Sequence, residues 1–382
     1  MLASQRLLFD IPRDVGYFNA AGTGPLSIET QEIARRAVSR KGQPWLLASD
    51  FAEQQYARAR VAAAALIGAA AEDVALVSSV GYGVASVGKI IEIPKGTRVL
   101  VLENDHTSPV LEWMARAEAQ GFSVEAVWQP GDGDWTSAVL AAIRRAGAAP
   151  VSLASLSSVH WADGGVVDMH AVKQALQPTG GRLLVDATQS VGVLANDVAS
   201  LDPDFLVFPT YKWLLGPYGR AFVYIAKRHQ EGVPLEQTAS ARRDVRAEND
   251  VYFADTRYLP DARRFDMGER DHFISMEMAS VAMERIAAWG VPAIAARLGF
   301  LTQQISEGLD GTGVEMLPQH QRAPHILSLR FKGSARDIAQ RLAAQKLYVM
   351  PRLGRVRVSP HVYNDEADVA RLVAALRNAA SS

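Results

Sequence analysis

Short apolar runs rich in β-branched residues recur between residues 50 and 225, and they constrain the fold more than any other feature. The runs are 74–79, 98–103, 123–128, 150–157, 182–187, 205–210 and 220–226. Because they are apolar at nearly every position, they predict strands that are covered on both faces, as in a mostly parallel sheet. Helical patterns fill most of the intervals between them, which is typical of an α/β fold.

The helical patterns can be placed by their periodicity and by their end signals. Helices are predicted at 50–68, 82–91, 108–120, 135–146, 168–177, 275–289, 291–309 and 334–345, and from Asp365 onward. Asp50 is a predicted N-cap and Gly68 a predicted helix stop. A short loop with glycine and proline joins 205–210 to 220–226 and predicts an antiparallel hairpin. The core is therefore predicted to be a doubly wound, mostly parallel sheet of about seven strands.

The pattern changes after about residue 230. Residues 231–253 are polar and irregular, as expected for a surface excursion or a subunit contact. Short apolar runs at 325–331 and 355–359 alternate with helical patterns and predict a smaller α+β unit. The expected division is an N-terminal arm at 1–20 that joins the small domain, a large domain at 21–255 and a small C-terminal domain at 256–382.

Composition excludes several classes of function. The 382 residues include 40 basic and 41 acidic ones, and a net charge of −1 argues against nucleic acid or a membrane surface as a partner. No apolar stretch is long enough to span a bilayer, and no secretory signal is evident at the N-terminus. The absence of cysteine excludes disulfides, thiolate metal sites and a cysteine nucleophile. We expect a cytoplasmic enzyme without a bound metal.

A lysine and an aspartate stand at the ends of neighbouring apolar runs. Lys212 lies between two predicted strands, and its apolar neighbours at 213–215 argue against an exposed hairpin lysine. Asp186 ends the run 182–187, where a carboxylate needs a cationic partner. Pyridoxal phosphate needs a lysine for its Schiff base and a carboxylate that keeps its pyridine nitrogen protonated. The pair therefore predicts a pyridoxal-phosphate enzyme that acts at the α-carbon of an amino acid.

Other polar residues follow other strand ends. The segment SSVGYG (78–83) predicts either a phosphate cradle at a helix N-terminus or a plain strand–helix turn. The residues of this candidate cradle are Ser79, Gly81 and Tyr82. His106 could stack on a planar cofactor or cap a helix. His160 could reach the cofactor or the substrate, or it could be structural.

Five more residues are candidate ligands. Gln189 could donate to the phenolic oxygen of the cofactor, and the hydroxyls of Thr210 and Tyr211 could donate to its phosphate. Arg357 lies in a short apolar run, where its guanidinium suits either a substrate α-carboxylate or an internal salt bridge. Arg355 competes for this role, because alternation places both side chains on one face of a strand.

These residues, in this order, resemble pyridoxal-phosphate enzymes of fold type I. Within them the chain is similar to the class V aminotransferase group, which includes cysteine desulfurases, kynureninase and isopenicillin-N epimerase. The matching segments are YFNAAGTGPLS (17–27), SSVGYG (78–83), DH (105–106), VDATQSVG (185–192), YKWLLGPYG (211–219), RFDMGE (264–269) and VRVSPHVYN (356–364). The resemblance implies a ring-stacking role for His106, substrate contacts for Asn19 and Arg357, and a homodimer in which 264–269 approaches the partner's site.

The resemblance leaves the reaction open. Tyr211 stands where many relatives have histidine and is kynureninase-like, whereas kynureninases tend to have an aromatic stacker in place of His106. The lack of cysteine disfavours a persulfide-donating desulfurase but permits direct elimination at a C–S bond. We expect an aminotransferase-type activity on a small-molecule amino-acid substrate, with a C–S or C–C β-lyase or an amino-acid epimerase as alternatives.

Two other classes of function fit less well. A nucleotide-binding module would carry GxGxxG after a strand, which SSVGYGVAS lacks, and it would leave Lys212 without a role. A non-catalytic scaffold of the same fold would not need both Lys212 and Asp186.

Overall fold

The structure is a computed structural model that describes residues 1–381. Its α-helices are α1 (Ile28–Lys41), α2 (Phe51–Ile67), α3 (Val80–Ile90), α4 (Ser108–Gln120), α5 (Trp135–Ile143), α6 (Met169–Leu176), α7 (Val198–Leu201), α8 (Ser275–Trp289), α9 (Val291–Gly308), α10 (Ala335–Ala343) and α11 (Glu366–Ala380). Its strands are β1 (Gly16–Tyr17), β2 (Val74–Val77), β3 (Arg98–Leu102), β4 (Ser123–Val127), β5 (Val151–Ser157), β6 (Arg182–Asp186), β7 (Phe205–Pro209), β8 (Ala221–Ile225), β9 (Arg242–Asp244), β10 (Asp255–Tyr258), β11 (Leu327–Leu329), β12 (Leu347–Tyr348), β13 (Met350–Arg352) and β14 (Arg355–Val358).

A seven-stranded sheet forms the centre of the molecule, with strand order β2-β8-β7-β6-β5-β3-β4. Only β8 runs against its two neighbours, while β7, β6, β5, β3 and β4 pair in parallel. All seven predicted strands are present, and the antiparallel pairing of β7 with β8 is confirmed. The prediction of a mostly parallel, doubly wound α/β sheet is confirmed as well.

The sheet is covered on both faces, which explains its continuously apolar strands. Successive side chains of a strand point to opposite faces. In β2, Leu76 belongs to an apolar cluster with residues of α2 and α8, whereas the next residue, Val77, packs with residues of α3 and α4. Each apolar residue of such a strand is buried against one helical layer or the other.

The helix ends agree with the sequence in part. Gly68 ends α2 in the left-handed conformation, with φ of 64°, as predicted. Asp50 precedes α2 but makes no capping bond, because its carboxylate accepts from the side chain of Gln54 instead. The helix α1 was not predicted, although Ser27 caps it through the backbone N–H of Thr30.

A smaller unit follows the main sheet. In it, β14 is the central strand of the antiparallel sheet β11-β14-β13, and β1 pairs with β12. The polar segment predicted to be irregular contains β9, which pairs with β10. The guanidinium of Arg242 lies 3.9 Å from the ring centroid of Tyr258, and this contact stabilises two polar strands that lack a buried face.

The division into domains remains our proposal, with an arm at 1–20, a large domain at 21–255 and a small domain at 256–382. The pairing of β1 with β12 supports an arm that joins the small domain. Helix α8 packs against α1 and α2, so it connects the two domains. No helix within residues 1–381 is long and apolar enough to cross a membrane.

Candidate active site

A cavity of about 290 Å³ lies beyond the carboxyl ends of β2, β3, β6 and β7. Its lining includes Ser79, Gly81, His106, Tyr211, Lys212 and Arg220. Ligands of open parallel sheets bind at this edge. A larger cleft of about 510 Å³ beside Arg60 and Arg263 has both of these arginines paired with aspartates, so their charges are already neutralised.

Lys212 is buried and has no charged partner. Its side chain is 6% exposed, and its Nζ makes no hydrogen bond or ion pair with the part of the chain that the structure describes. Burial, together with the nearby charge of Arg357, lowers the pKa of Lys212 to about 8, and the charge of Asp186 opposes this shift. A neutral amine at the edge of a cavity is a nucleophile, so Lys212 suits the covalent capture of an aldehyde.

The backbone of Lys212 is held by the N-terminal segment of the chain. The N–H of Gly24 donates to the carbonyl of Tyr211 at 2.9 Å. A Cβ atom at position 24 would lie 2.2 Å from the carbonyl oxygen of Lys212, so only glycine allows this close approach.

Asp186 ends β6 and is 2% exposed. Its Oδ1 accepts from the backbone N–H of Thr188 at 2.9 Å, and no basic side chain within residues 1–381 forms an ion pair with it. Burial raises the pKa of Asp186, and the charge of Lys212 opposes this shift. A buried carboxylate without an ion-pair partner fits the protonated ring nitrogen of pyridoxal phosphate.

The far end of the cavity suits a phosphate. Ser79 caps α3 by accepting from the N–H of Tyr82 at 3.1 Å, and the N–H groups of the first helical turn have no acceptor within the helix. Arg220 is buried beside this end; its Nε donates to Ser275, and its Nη1 is a buried donor without a partner in the described chain. Its Nη2 forms a long ion pair of 3.9 Å with Asp271, so the free donor is Nη1, and a guanidinium donor beside a helix N-terminus suits a doubly charged anion.

Besides Asp186, three predicted cofactor ligands lie outside the cavity lining. The hydroxyl of Thr210 donates to the carbonyl of Pro217 at 2.6 Å, within its own loop, so its bond to the phosphate stays a prediction. Gln189 is buried and accepts from the indole of Trp213 at 2.7 Å, while its amide donates to a main-chain carbonyl. The phenol of Tyr82 lies near Glu236, and burial together with this carboxylate raises its pKa.

The two candidate histidines have different surroundings. His106 lines the cavity, edge-on to the indole of Trp161 at 6.1 Å, and partial burial with the charge of Lys212 lowers its pKa. His160 is buried and stacks on Trp135 at 5.0 Å, away from the cavity lining. Its Nδ1 lies 3.1 Å from a carboxylate oxygen of Asp163, which raises the pKa of His160 against the effect of burial. These contacts favour the structural alternative for His160, and its predicted contact with the substrate stays a prediction.

Arg357 is 1% exposed and has no carboxylate partner within residues 1–381. Its Nη1 donates to the carbonyl of Trp161 at 2.6 Å, its Nη2 donates to Asn19 at 3.4 Å, and its Nε is a buried donor without a partner. Burial lowers its pKa to about 9. Arg355, by contrast, is less buried; burial and the charge of Arg330 lower its pKa, and the charges of Asp163 and Glu315 oppose this shift. Of these two arginines, Arg357 has the free donor that suits an α-carboxylate.

Comparison with known proteins identifies the family of this chain. The family profile described as Aminotransferase class-V matches residues 45–372. The chain belongs to this family. This membership confirms the expectation of an enzyme that depends on pyridoxal phosphate, and the surroundings of Lys212 and Asp186 fit that cofactor.

Proteins similar in sequence to this class-V aminotransferase family member are named as different enzymes. It is 27% identical to the uncharacterized aminotransferase YcbU of Bacillus subtilis, over 87% of this chain and 85% of that protein. It is 24% identical to a probable cysteine desulfurase of Pyrococcus abyssi, over 87% and 85% of the two chains.

Solved structures share the fold of this class-V family member. The cysteine desulfurase of Thermococcus onnurineus NA1 matches it with a TM-score of 0.83 and 21% identity, over 98% of this chain and 97% of that chain. The cystine C–S lyase C-DES, solved with cysteine persulfide, matches with a TM-score of 0.85 and 20% identity, over 96% and 98%. These neighbours confirm the fold expected from the sequence.

Sequence reasoning missed three residues of the site. Arg220 directly precedes β8, and nothing in the sequence indicates that it faces the cavity. Trp161 contacts both His106 and Arg357, but its role depends on elements far apart in the chain. Gly24 could have been found, since the glycine-rich segment at 17–27 was recognised as a motif.

Proposed function

We propose that this enzyme converts an amino acid at its α-carbon, with Lys212 as the covalent attachment point of the cofactor and as the proton carrier. The observation that carries the proposal is a buried lysine without a charged partner, at a sheet edge that also presents the buried carboxylate of Asp186. When bound, pyridoxal phosphate supplies an electron-withdrawing ring that stabilises negative charge at the α-carbon.

At the cofactor end, residues of the protein bind the cofactor and keep its ring nitrogen protonated. Asp186 holds the proton on the ring nitrogen, because its buried carboxylate has no other cation to face. The N-terminus of α3 and the free Nη1 of Arg220 hold the phosphate. His106 packs against the ring face, and Tyr211 forms another wall of the cavity.

At the substrate end, Arg357 and Asn19 orient the α-carboxylate. The free Nε and the two Nη groups of Arg357 would bind the α-carboxylate and so orient the amino acid. This orientation would fix the position of the α-hydrogen relative to Lys212. The lowered pKa of Lys212 leaves much of its amine neutral near pH 8. Once released from the cofactor, this amine takes the proton from the α-carbon and can return it to another atom.

The fate of that proton decides the reaction. We propose an aminotransferase-type activity, for which Lys212 would carry the proton taken from the α-carbon and pyridoxal phosphate would supply the carbonyl chemistry. A C–S β-lyase is the second candidate, because several relatives are named as desulfurases and one structural neighbour as a C–S lyase. The chain has no cysteine, so a β-lyase of this sequence would release its leaving group directly and not through its own thiol.

We further propose a cytoplasmic homodimer. The segment RFDMGE (264–269) is mostly buried within its own subunit, where Asp266 pairs with Arg60 at 2.7 Å. Its last residues reach the surface, and Glu269 has the uncommon φ of 46°. This exposed end supports the prediction that the segment approaches a second subunit.

The test of the proposed function is the attachment of the cofactor. Protein loaded with pyridoxal phosphate should show visible absorption, and borohydride reduction followed by peptide mapping should place the pyridoxyl group on Lys212. The variant Lys212→Ala should stay folded and lose both the attachment and turnover. Lys227, an exposed lysine that follows β8, provides the control, because Lys227→Ala should change neither the attachment of the cofactor nor turnover. A pyridoxyl group found on another lysine would refute the assignment.

A further inference from the structure

One arginine at the substrate end has no assigned partner. Arg352 ends β13 and is partly buried. Its only hydrogen bond within the described chain runs from Nη1 to the adjacent carbonyl of Pro351 at 3.0 Å, and no carboxylate of residues 1–381 forms an ion pair with it. A partly desolvated guanidinium without an acidic partner is unfavourable unless a ligand supplies one.

The position of Arg352 suits a contact with the substrate and not with the phosphate of the cofactor. Its guanidinium carbon lies 5.7 Å from the ring centroid of Trp161, and that of Arg357 lies 5.9 Å from the same ring. Its charge lowers the pKa of both Lys212 and His106, so it acts on the cavity itself. The phosphate end, at α3 and Arg220, is a different part of the cavity.

The hairpin that carries Arg352 is conformationally defined. Strands β13 and β14 are joined by Leu353 and Gly354, which have φ of 46° and 75°. Two successive residues with positive φ are typical of a tight two-residue hairpin turn, and leucine adopts this conformation at an energetic cost. In this register Arg352 lies opposite Arg355, on the same face of the sheet as Arg357.

When the charges of the site are paired with those of the proposed ligands, Arg352 has no negative group assigned to it. Asp186 is matched by the ring nitrogen, the phosphate by Arg220 and the helix N-terminus, and the α-carboxylate of the substrate by Arg357. We propose that Arg352, beside Trp161, binds a second acidic group in the substrate side chain, so that the preferred substrates are amino acids with a side-chain carboxylate. This inference rests on the proposed function, since it names the substrate class of the same site. The planar guanidinium can bind such a carboxylate through two parallel hydrogen bonds.

The experiment compares amino acids that differ by one charge at equal length. Aspartate, glutamate and 2-aminoadipate are each paired with the corresponding side-chain amide, and the dissociation constant is read from the change in visible absorption of the loaded enzyme. The wild type should bind at least one acid about tenfold or more tightly than its amide. Arg352→Gln should abolish this preference. It should weaken the binding of the acid and change the dissociation constant of the amide by less than about twofold.

The matched control is Arg355→Gln, which removes an arginine from the same hairpin and should preserve the preference. Arg352→Glu should reverse it in favour of the uncharged amide. The inference is overturned if the wild type binds acid and amide equally at every length, if Arg352→Gln weakens both alike, or if Arg355→Gln has the same effect. Borohydride fixation on Lys212 in the same preparations separates the two ideas: its absence refutes the proposed function, and its presence without charge preference refutes only the role of Arg352.

Discussion

The two ends of the cavity are built in different ways. The cofactor end takes Asp186, Lys212 and the first turn of α3 from the ends of buried strands of one mostly parallel sheet. The substrate end joins Asn19, Trp161 and Arg357 from three separate segments around a short antiparallel hairpin. At the cofactor end Lys212 and Asp186 have no ion-pair partner and Arg220 keeps one free donor, whereas at the substrate end two arginines have no acidic partner.

This difference teaches that the cofactor end is positioned by the core and the substrate end by packing between distant segments. Strands that are buried on both faces fix the direction in which their ends point. The substrate end depends on contacts such as that of Arg357 with Asn19, 338 positions away in the sequence. Variants should therefore separate into those that affect cofactor chemistry and those that affect substrate affinity.

The largest effect is expected for Asp186→Ala. Removing the partner of a buried charge costs about 3–5 kcal/mol, which corresponds to a loss in turnover of about a hundredfold or more. Asp186→Asn, which keeps the shape and loses the charge, should lose a similar factor. Steady-state kinetics measure the loss, and circular dichroism checks the fold. Turnover near that of the wild type in both variants would contradict the role of Asp186 in holding the ring proton.

A smaller effect, confined to the substrate end, is expected for Arg357→Lys. Lysine keeps the charge but loses the planar set of donors, so the KM for the amino acid should rise about tenfold while cofactor occupancy stays constant. The control Arg355→Lys should change KM by less than about twofold. If Arg355→Lys raised KM more, the α-carboxylate would have to be assigned to Arg355. If Arg357→Lys lost the cofactor, the two ends would not be separable.

The reverse pattern is expected for Arg220→Gln. Loss of this guanidinium should weaken the binding of pyridoxal phosphate by the apoprotein about tenfold, because one charge-assisted hydrogen bond is removed. The KM for the amino acid should change little at saturating cofactor. Arg228→Gln is the matched control, since Arg228 is engaged with Asp202 and Asp204. An absorption titration that shows equal cofactor affinity for wild type and Arg220→Gln would remove Arg220 from the phosphate site.

The smallest expected effect is a change in the pKa of Lys212 that is caused by a charge at the substrate end. The pKa of Lys212 is lowered from that of an ordinary lysine to about 8, so its reactive neutral form increases as the pH rises and dominates above pH 8. The rate at which the apoprotein captures pyridoxal phosphate should rise with pH, with a midpoint near 8, and then level off. Arg357→Gln removes a cation that holds this pKa down, so the midpoint should move upward. Arg355→Gln should leave it in place, and an unchanged midpoint in Arg357→Gln would show that the two ends are electrostatically independent.

Much of the cofactor end could be predicted from the sequence. Lys212 and Asp186 are charged residues at the ends of apolar runs, which is an unusual position that needs a chemical reason. The hydroxyl of Thr210, in contrast, was assigned to the phosphate only because it lies near Lys212 in the sequence, and it bonds within its own loop.

The substrate end was harder to predict, because its members meet only in three dimensions. Arg357 could be ranked above Arg355 by its motif, but the sequence does not reveal that Arg355 lies near the charges of Asp163 and Glu315. Trp161 and Arg352 gave no sequence signal at all, since each matters through an aromatic contact between separate elements. His160 was assigned to the substrate from its strand end, yet its neighbour Trp135 draws it into the core.

The bridge between Asn19 and Ser359 has a consequence for the order in which the enzyme is made on the ribosome. All residues proposed to bind the cofactor are synthesised by position 220, whereas the strand that carries Arg357 emerges more than a hundred residues later. A chain that ends before β14 would contain Lys212 and Asp186 but would lack Arg357, and so would have no guanidinium for the α-carboxylate of an amino acid. Yellow colour in a preparation would report that the first part has folded, and only saturable binding of substrate would report a finished enzyme.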